Sequence, residues 1–170
     1  MRALGRTIDA GLGWTPTNAA TAGITGKRVS LKNATSVIFL VNAAAAASGT
    51  DALTFTISQH TAATGGSTAN LAVIADYHWK VAASTTMDGT ETWARVTQAA
   101  AATVVIAGSN ATKEALIAIE VNAVDLTSGY SWVSISVSQP SVARYVAAQT
   151  LLSDLITQRR PANLPATLSV

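Results

Sequence analysis

Leu53-Thr54-Phe55-Thr56-Ile57-Ser58 alternates strictly between apolar and polar residues. In an extended chain successive side chains point to opposite faces. Leu53, Phe55 and Ile57 therefore share one face, and Thr54, Thr56 and Ser58 share the other. Such a strand buries one face and leaves the other wet or against a partner.

The same pattern extends outward in both directions. Residues 35–42 form a short apolar run rich in β-branched side chains. Residues 77–82 and 92–97 alternate more loosely, and 103–107 is again β-branched. In 115–121, Ile117, Ile119 and Val121 oppose Leu116, Ala118 and Glu120. In 132–137, Val133, Ile135 and Val137 oppose Trp132, Ser134 and Ser136. The breaks carry turn chemistry: Ser48-Gly49-Thr50-Asp51, Gly65-Gly66-Ser67, Met87-Asp88-Gly89, Gly108-Ser109-Asn110 and Ser128-Gly129. Seven or eight short strands separated by turns predict an all-β fold, an antiparallel, jelly-roll-like β-sandwich. The alanine-rich stretches 43–47 and 98–102 favour helix by propensity but are too short to hold one alone. Residues 143–156 fit an amphipathic helix or one more strand.

The ends read differently. Residues 1–32 hold Gly5, Gly11, Gly13, Pro16, Gly23 and Gly26 among isolated apolar residues, which predicts an extended N-terminal arm. Residues 158–170 contain Pro161 and Pro165, which cannot donate to a sheet, and predict an extended C-terminal arm. The sandwich is expected over 33–157. Charge is also sorted along the chain. Residues 1–32 carry Arg2, Arg6, Lys27, Arg28 and Lys32 against Asp9, and residues 143–170 carry Arg144, Arg159 and Arg160 against Asp154. Residues 33–142 are net acidic, holding seven of the nine carboxylates. Basic arms on an acidic body suit an acidic protein surface or a neighbouring copy. The arms lack the dense runs expected of nucleic-acid binding, and the overall charge of +2 is too small to argue for it. Arg2, Arg6, Lys27, Arg28, Arg159 and Arg160 are thus candidate partner contacts, with Trp14 as an aromatic anchor in the N-terminal arm. Deleting residues 1–30 is expected to leave the β-body folded.

Composition narrows the function. The chain has 170 residues, enough for one domain with a real core. About a fifth is Ala, about a fifth Ser plus Thr, and only 12% is charged, roughly half the usual share. A surface of Thr, Ser, Asn and Ala repels neighbours poorly and suits a protein packed against other protein. With no cysteine there is no disulfide, thiolate metal site or cysteine nucleophile. No window reaches a membrane-spanning length of unbroken apolar residues. Lys27, Arg28 and Lys32 ahead of the apolar 37–41 imitate a secretion signal but start too late in the chain.

Candidate chemistry is thin. His60 reads as an exposed loop histidine, and His78 as one face of a strand whose other face carries Tyr77 and Trp79. Neither has a partner at metal-ligand spacing. Glu120 either pairs with Arg95 or points out of the sandwich. Asp88 and Glu91 flank a turn without forming an acid–base pair. There is no nucleophile elbow and no phosphate-cradling loop. No catalytic residue, cofactor or metal is expected.

Residues 51–58 (Asp-Ala-Leu-Thr-Phe-Thr-Ile-Ser), 93–101 (Trp-Ala-Arg-Val-Thr-Gln-Ala-Ala-Ala) and 119–137, through Asp125-Leu126 and Ser128-Gly129-Tyr130 to Trp132, give the chain a texture. In that texture it resembles the β-sandwich head decoration or cement proteins of tailed bacteriophages, over about residues 35–155. The resemblance implies a virion structural protein that binds the major capsid protein on the capsid surface and stabilises the shell by bridging its subunits. It implies a homo-oligomer, dimer or trimer, with no nucleic acid and no membrane, and one more strand after residue 143. The alternative is a carbohydrate- or receptor-binding module of a phage tail or fibre, with Tyr77, Trp79 and Trp93 as its aromatic platform.

Overall fold

The computed structural model describes residues 3–164. It contains twelve strands: β1 (Ile8–Asn18), β2 (Ile24–Thr25), β3 (Val29–Ser30), β4 (Ala34–Ala43), β5 (Leu53–His60), β6 (Thr68–Asn70), β7 (Ile74–Val81), β8 (Ala94–Ala101), β9 (Thr103–Ile106), β10 (Ala115–Asn122), β11 (Trp132–Val137) and β12 (Tyr145–Leu155). The helical content is three single 3-10 turns, at Gly108–Asn110, Ala123–Asp125 and Pro161–Asn163. One sheet, called A below, has the order β1-β12-β4-β10-β7-β8. The other, sheet B, is built on β2-β11-β5-β6, with β3 also on β11 and β9 also on β5. Every strand pair is antiparallel, and the chain is an all-β, sandwich-like fold.

The period-2 pattern explains the core. Val37, Phe39 and Val41 of β4 and Ile117, Ile119 and Val121 of β10 are fully buried from sheet A. Leu53, Phe55 and Ile57 of β5, with Val133 and Ile135 of β11, come from sheet B. These residues form one cluster, a dry layer between two sheets of the kind that supplies most of a sandwich's stability.

The N-terminal segment is not a free arm. β1 pairs with β12 from Ile8↔Ser153 to Asn18↔Tyr145, and β2 and β3 both pair with β11. The fold therefore has no boundary at residue 32. Two of the glycines that suggested an arm, Gly13 and Gly26, serve close approach instead. A Cβ at Gly13 would lie 3.2 Å from the Ala148 carbonyl oxygen, and one at Gly26 would collide with the Ile135 carbonyl oxygen and press on the Trp14 ring. Glycine in a strand marks such sites as often as flexibility.

At the other end, 145–155 is a strand, the longest partner of β4. Residues 158–164 leave it, with the Arg159 amide donating to the Gly5 carbonyl at 2.7 Å, and make the turn at Pro161–Asn163. The rest of the expected C-terminal arm, 165–170, lies outside the described residues, as does Arg2. The alanines of 98–101 belong to strand β8, and those after Ala43 form a connection. Tertiary pairing overrides a helix preference that no long segment reinforces. Residues 68–70, just past the Gly65-Gly66-Ser67 turn, add β6 to β5.

Candidate functional site

The unusual surface of this molecule is the outer face of sheet A. Register gives its layout. Leu12, Gln149, Leu40, Ala118, His78 and Arg95 lie abreast across β1, β12, β4, β10, β7 and β8. Two residues along the strands on one side lie Ala10, Leu151, Ile38 and Glu120. On the other side lie Ala147, Asn42, Leu116 and Lys80. Ile38, Leu40, Leu116 and Leu151 are half-buried, and Leu12 is 44% exposed. The outer face of sheet B is different: Thr54, Thr56, Ser58 and Ser136 occupy the corresponding positions. A sandwich sheet normally presents polar residues outward. Sheet B follows that rule except at Trp132 and the exposed Val105, and sheet A carries an aliphatic stripe at its centre among polar and charged residues.

Toward β7 this face dips into an open groove of about 570 Å³. Ile38, Ala118 and His78 lie on the strands beneath it, with Val73, Trp93 and Asp125 among the residues around it. Its polar groups are partly engaged. Arg95 pairs with Asp76 rather than with Glu120. Glu120 is exposed and accepts a hydrogen bond from the Ser36 hydroxyl at 2.8 Å. Asp125 accepts one from the Asn122 amide at 3.2 Å. Trp93 is 45% exposed, with the Lys80 ammonium 5.2 Å from its ring centroid. Tyr77 and Trp79 pack edge to face at 6.1 Å on the inner side of β7. They do not join Trp93 in an aromatic platform. Among the described residues, no group of three or more His, Cys, Asp or Glu could hold a metal ion, and no helix is long and apolar enough to cross a membrane.

The basic candidates separate into two places. Arg6, Arg159 and Arg160 are exposed, and the bond from the Arg159 amide to the Gly5 carbonyl joins the segment after β12 to the segment before β1. Lys27 is exposed elsewhere, its amide donating to Gly13. Arg28 is used within the fold. Its Nη1 donates to the carbonyls of Ala62 (2.8 Å) and Gly65 (2.6 Å), strapping the 61–67 turn. Trp14 is 8% exposed and belongs to the core cluster, so it is not a surface anchor. The apolar residue of a presumed arm was in fact the inward side of an edge strand.

His60 is likewise not a loop residue. It ends β5 and is 5% exposed. Its Nδ1 lies 2.9 Å from the Thr68 hydroxyl and its Nε2 2.8 Å from the Ser134 hydroxyl. Burial, with a smaller contribution from the Arg28 charge, lowers its pKa to about 4. Arg144 was not singled out by sequence. It is 1% exposed and donates to the carbonyls of Ala44 (2.8 Å), Lys113 (3.1 Å) and Asn110 (3.3 Å), tying three connections together without a carboxylate. Nothing in the sequence around it distinguishes a buried arginine from a solvated one.

Comparison of the chain with protein-family models, with curated proteins and with solved structures returns no match.

Proposed function

We propose that this protein is a structural component of a tailed-bacteriophage particle, a decoration or cement protein that attaches to the capsid surface and ties shell subunits together. The observation that carries the reading is the backbone bond from Arg159 to Gly5, which puts exposed Arg6, Arg159 and Arg160 on neighbouring backbone of a chain that is otherwise poor in charge. Three arginines at one end of a rigid sandwich suit bidentate pairing with carboxylates of a protein surface. The low-charge Thr, Ser and Ala surface fits a molecule that lives against other protein. The reaction is mechanical: contact area added across a seam between subunits opposes their separation, and about 1,000–2,000 Å² of buried surface supports a stable contact.

Quantitative mass spectrometry of purified virions against the major capsid protein tests this. The expected result is hundreds of copies in a simple ratio to the shell protein. Absence from particles overturns the reading.

A second reading, a carbohydrate- or receptor-binding module of a tail or fibre, draws on the groove beside Trp93. Its apolar floor and the carboxylates of Glu120 and Asp125 are groups that bind sugar rings and hydroxyls. A few dozen copies or fewer per virion, with glycan binding lost in Trp93→Ala, would favour it.

A further inference from the structure

We infer that the groove in sheet A is a peptide-binding site, in which an extended segment of another protein, carrying Arg or Lys, adds to β10 as a strand where β7 leaves it. The inference goes beyond capsid attachment and does not depend on it.

The pairing of β10 is the first argument. It pairs with β4 over its whole length, from Ala115↔Ala43 to Asn122↔Ser36. Its pairing with β7 covers half of that length and ends at Ala118↔His78. β7 nevertheless runs back to Ile74, paired with β8 on its other side. The two strands part inside the sheet, and the groove lies where they part. Asp76 and His78 line it from β7, and Ala118, Glu120 and Asn122 from β10. The cause is local. The β7–β8 register shifts between Ile74 and Asp76, an irregularity of the kind that bends a strand. Gln98 fixes it, its side-chain amide donating to the carbonyls of Ile74 (2.9 Å) and Thr103 (2.8 Å).

Main-chain direction is the second argument. Along an antiparallel strand, alternate residues turn both N–H and C=O to the same neighbour. The Ala82 amide donates to the Glu114 carbonyl, so Glu114 faces the β7 side. Leu116, Ala118, Glu120 and Asn122 follow it in the alternation. Leu116 and Ala118 meet Lys80 and His78, but Glu120 and Asn122 have no ladder partner on that side. On β7, Asp76 comes next after Lys80 and His78 and likewise has none toward β10. An unpaired edge of this kind is a template for another strand. Residues 119–122 give it about 13 Å, the length of about four extended residues. The groove volume of about 570 Å³ falls within the roughly 300–1,000 Å³ of built ligand sites.

Charge selects the occupant. Glu120 and Asp125 both line the groove, and neither forms an ion pair among the described residues. The nearby cations are engaged, Arg95 with Asp76 and Lys80 over the Trp93 ring. A basic side chain on the added strand supplies the missing charge, as an opposite-charge pair between neighbouring strands. Ile38, Ala118 and Trp93 supply apolar lining for the residue two positions away, which falls on the same face. A sugar would use the carboxylates and Trp93 but has no strand-like repeat to match the edge of β10.

The test uses the purified full chain. A displayed library of random seven-residue peptides should enrich Arg or Lys with an apolar residue two positions away. An enriched peptide, made synthetically, should bind with micromolar affinity by fluorescence anisotropy. Glu120→Lys and Asp125→Lys, each with an unchanged circular dichroism spectrum, should weaken it roughly tenfold or more. An N-methyl scan of the peptide against the wild-type chain needs no variant to fold, and it should weaken binding at alternate positions. No enrichment, binding unchanged by Glu120→Lys in a folded chain, or an N-methyl scan without alternation overturns the inference. Glycan binding lost in Trp93→Ala, without peptide enrichment, overturns it too and gives the groove to the second reading. A chain that binds peptide but is absent from virions keeps the site and loses the capsid reading; the converse keeps the capsid reading and loses the site.

Discussion

The Nε2 of His60 lies 2.8 Å from the Ser134 hydroxyl, linking the end of β5 to the middle of its neighbour β11 in a buried site. The ring is held neutral there, because burial lowers its pKa from 6.5 to about 4. The unfolded chain therefore binds a proton at a pH where the folded chain does not. Stability should be fully expressed above about pH 6.5 and should fall as the pH drops from there toward 4. Protonation of His60 alone would remove on the order of 2–3 kcal/mol across that window. Carboxylates act lower. Hydrogen bonds from Ser141 hold the Asp51 pKa below its usual value, so its contribution persists above the usual aspartate range and fades only in stronger acid. Urea midpoints at pH 7 and pH 4.5 should differ for the wild type and differ much less for His60→Gln. Equal midpoints in the wild type would remove His60 as the cause.

Arg144 should be the most sensitive single charge in the molecule. Arg144→Met keeps much of the side-chain volume but takes the side-chain donor from the carbonyls of Ala44 and Lys113, and leaves the Asn110 carbonyl with the Lys113 amide alone. Hydrogen bonds from a charged group contribute about 1.5–3 kcal/mol, and orphaned buried acceptors add to the loss. A destabilisation of about 2–4 kcal/mol is expected by urea denaturation. Arg144→Lys should not restore it, because an ammonium cannot reproduce the planar fork that reaches three carbonyls.

Much of the fold is legible in the sequence, and the failures have a common cause. Alternation in 53–58, 115–121 and 132–137 names the inward residues correctly because those strands have one dry face. β1 escapes the same reading. It pairs along one edge, is interrupted by register shifts near Trp14, and uses glycine where β12 comes close. Its pattern is set by a neighbour from the far end of the sequence, Ile8 against Ser153 and Asn18 against Tyr145, rather than by its own period. His60 and Arg144 are missed for a related reason: burial of a single polar residue is decided by what folds over it. The outer face of sheet A was half visible. Leu116 and Ala118 were assigned opposite the buried residues of β10, yet only the register shows them aligned with Leu40, Ile38 and Leu151.

Gly26 should not tolerate a side chain. Its amide donates to the Ile135 carbonyl at 2.9 Å, and an added Cβ would meet that same oxygen and the Trp14 ring. The neighbours are backbone and a buried indole, so neither yields cheaply. Gly26→Ala is expected to lose about 1–3 kcal/mol, the usual range for overpacking a filled core. Gly89→Ala makes an informative contrast. Nothing lies within 4 Å of the added atom, so any loss there comes from its φ of +93° alone.

Truncation separates the two chain ends. Removing residues 1–30 deletes β1 and β2 together with Trp14, and takes Val29 and Ser30 from β11. β12 then becomes an edge with its apolar residues uncovered, and the truncated chain should lose cooperative unfolding or fail to fold. Removing residues 158–170 deletes Arg159 and Arg160 but no strand among the described residues. That variant should keep its circular dichroism spectrum and unfold within a few degrees of the wild type. If Arg6, Arg159 and Arg160 attach the protein to a shell, the shorter chain should also lose binding to capsids stripped of this protein, and the triple change to Glu should abolish it. Retained binding by a folded Arg6→Glu, Arg159→Glu, Arg160→Glu chain would move the attachment surface away from the termini.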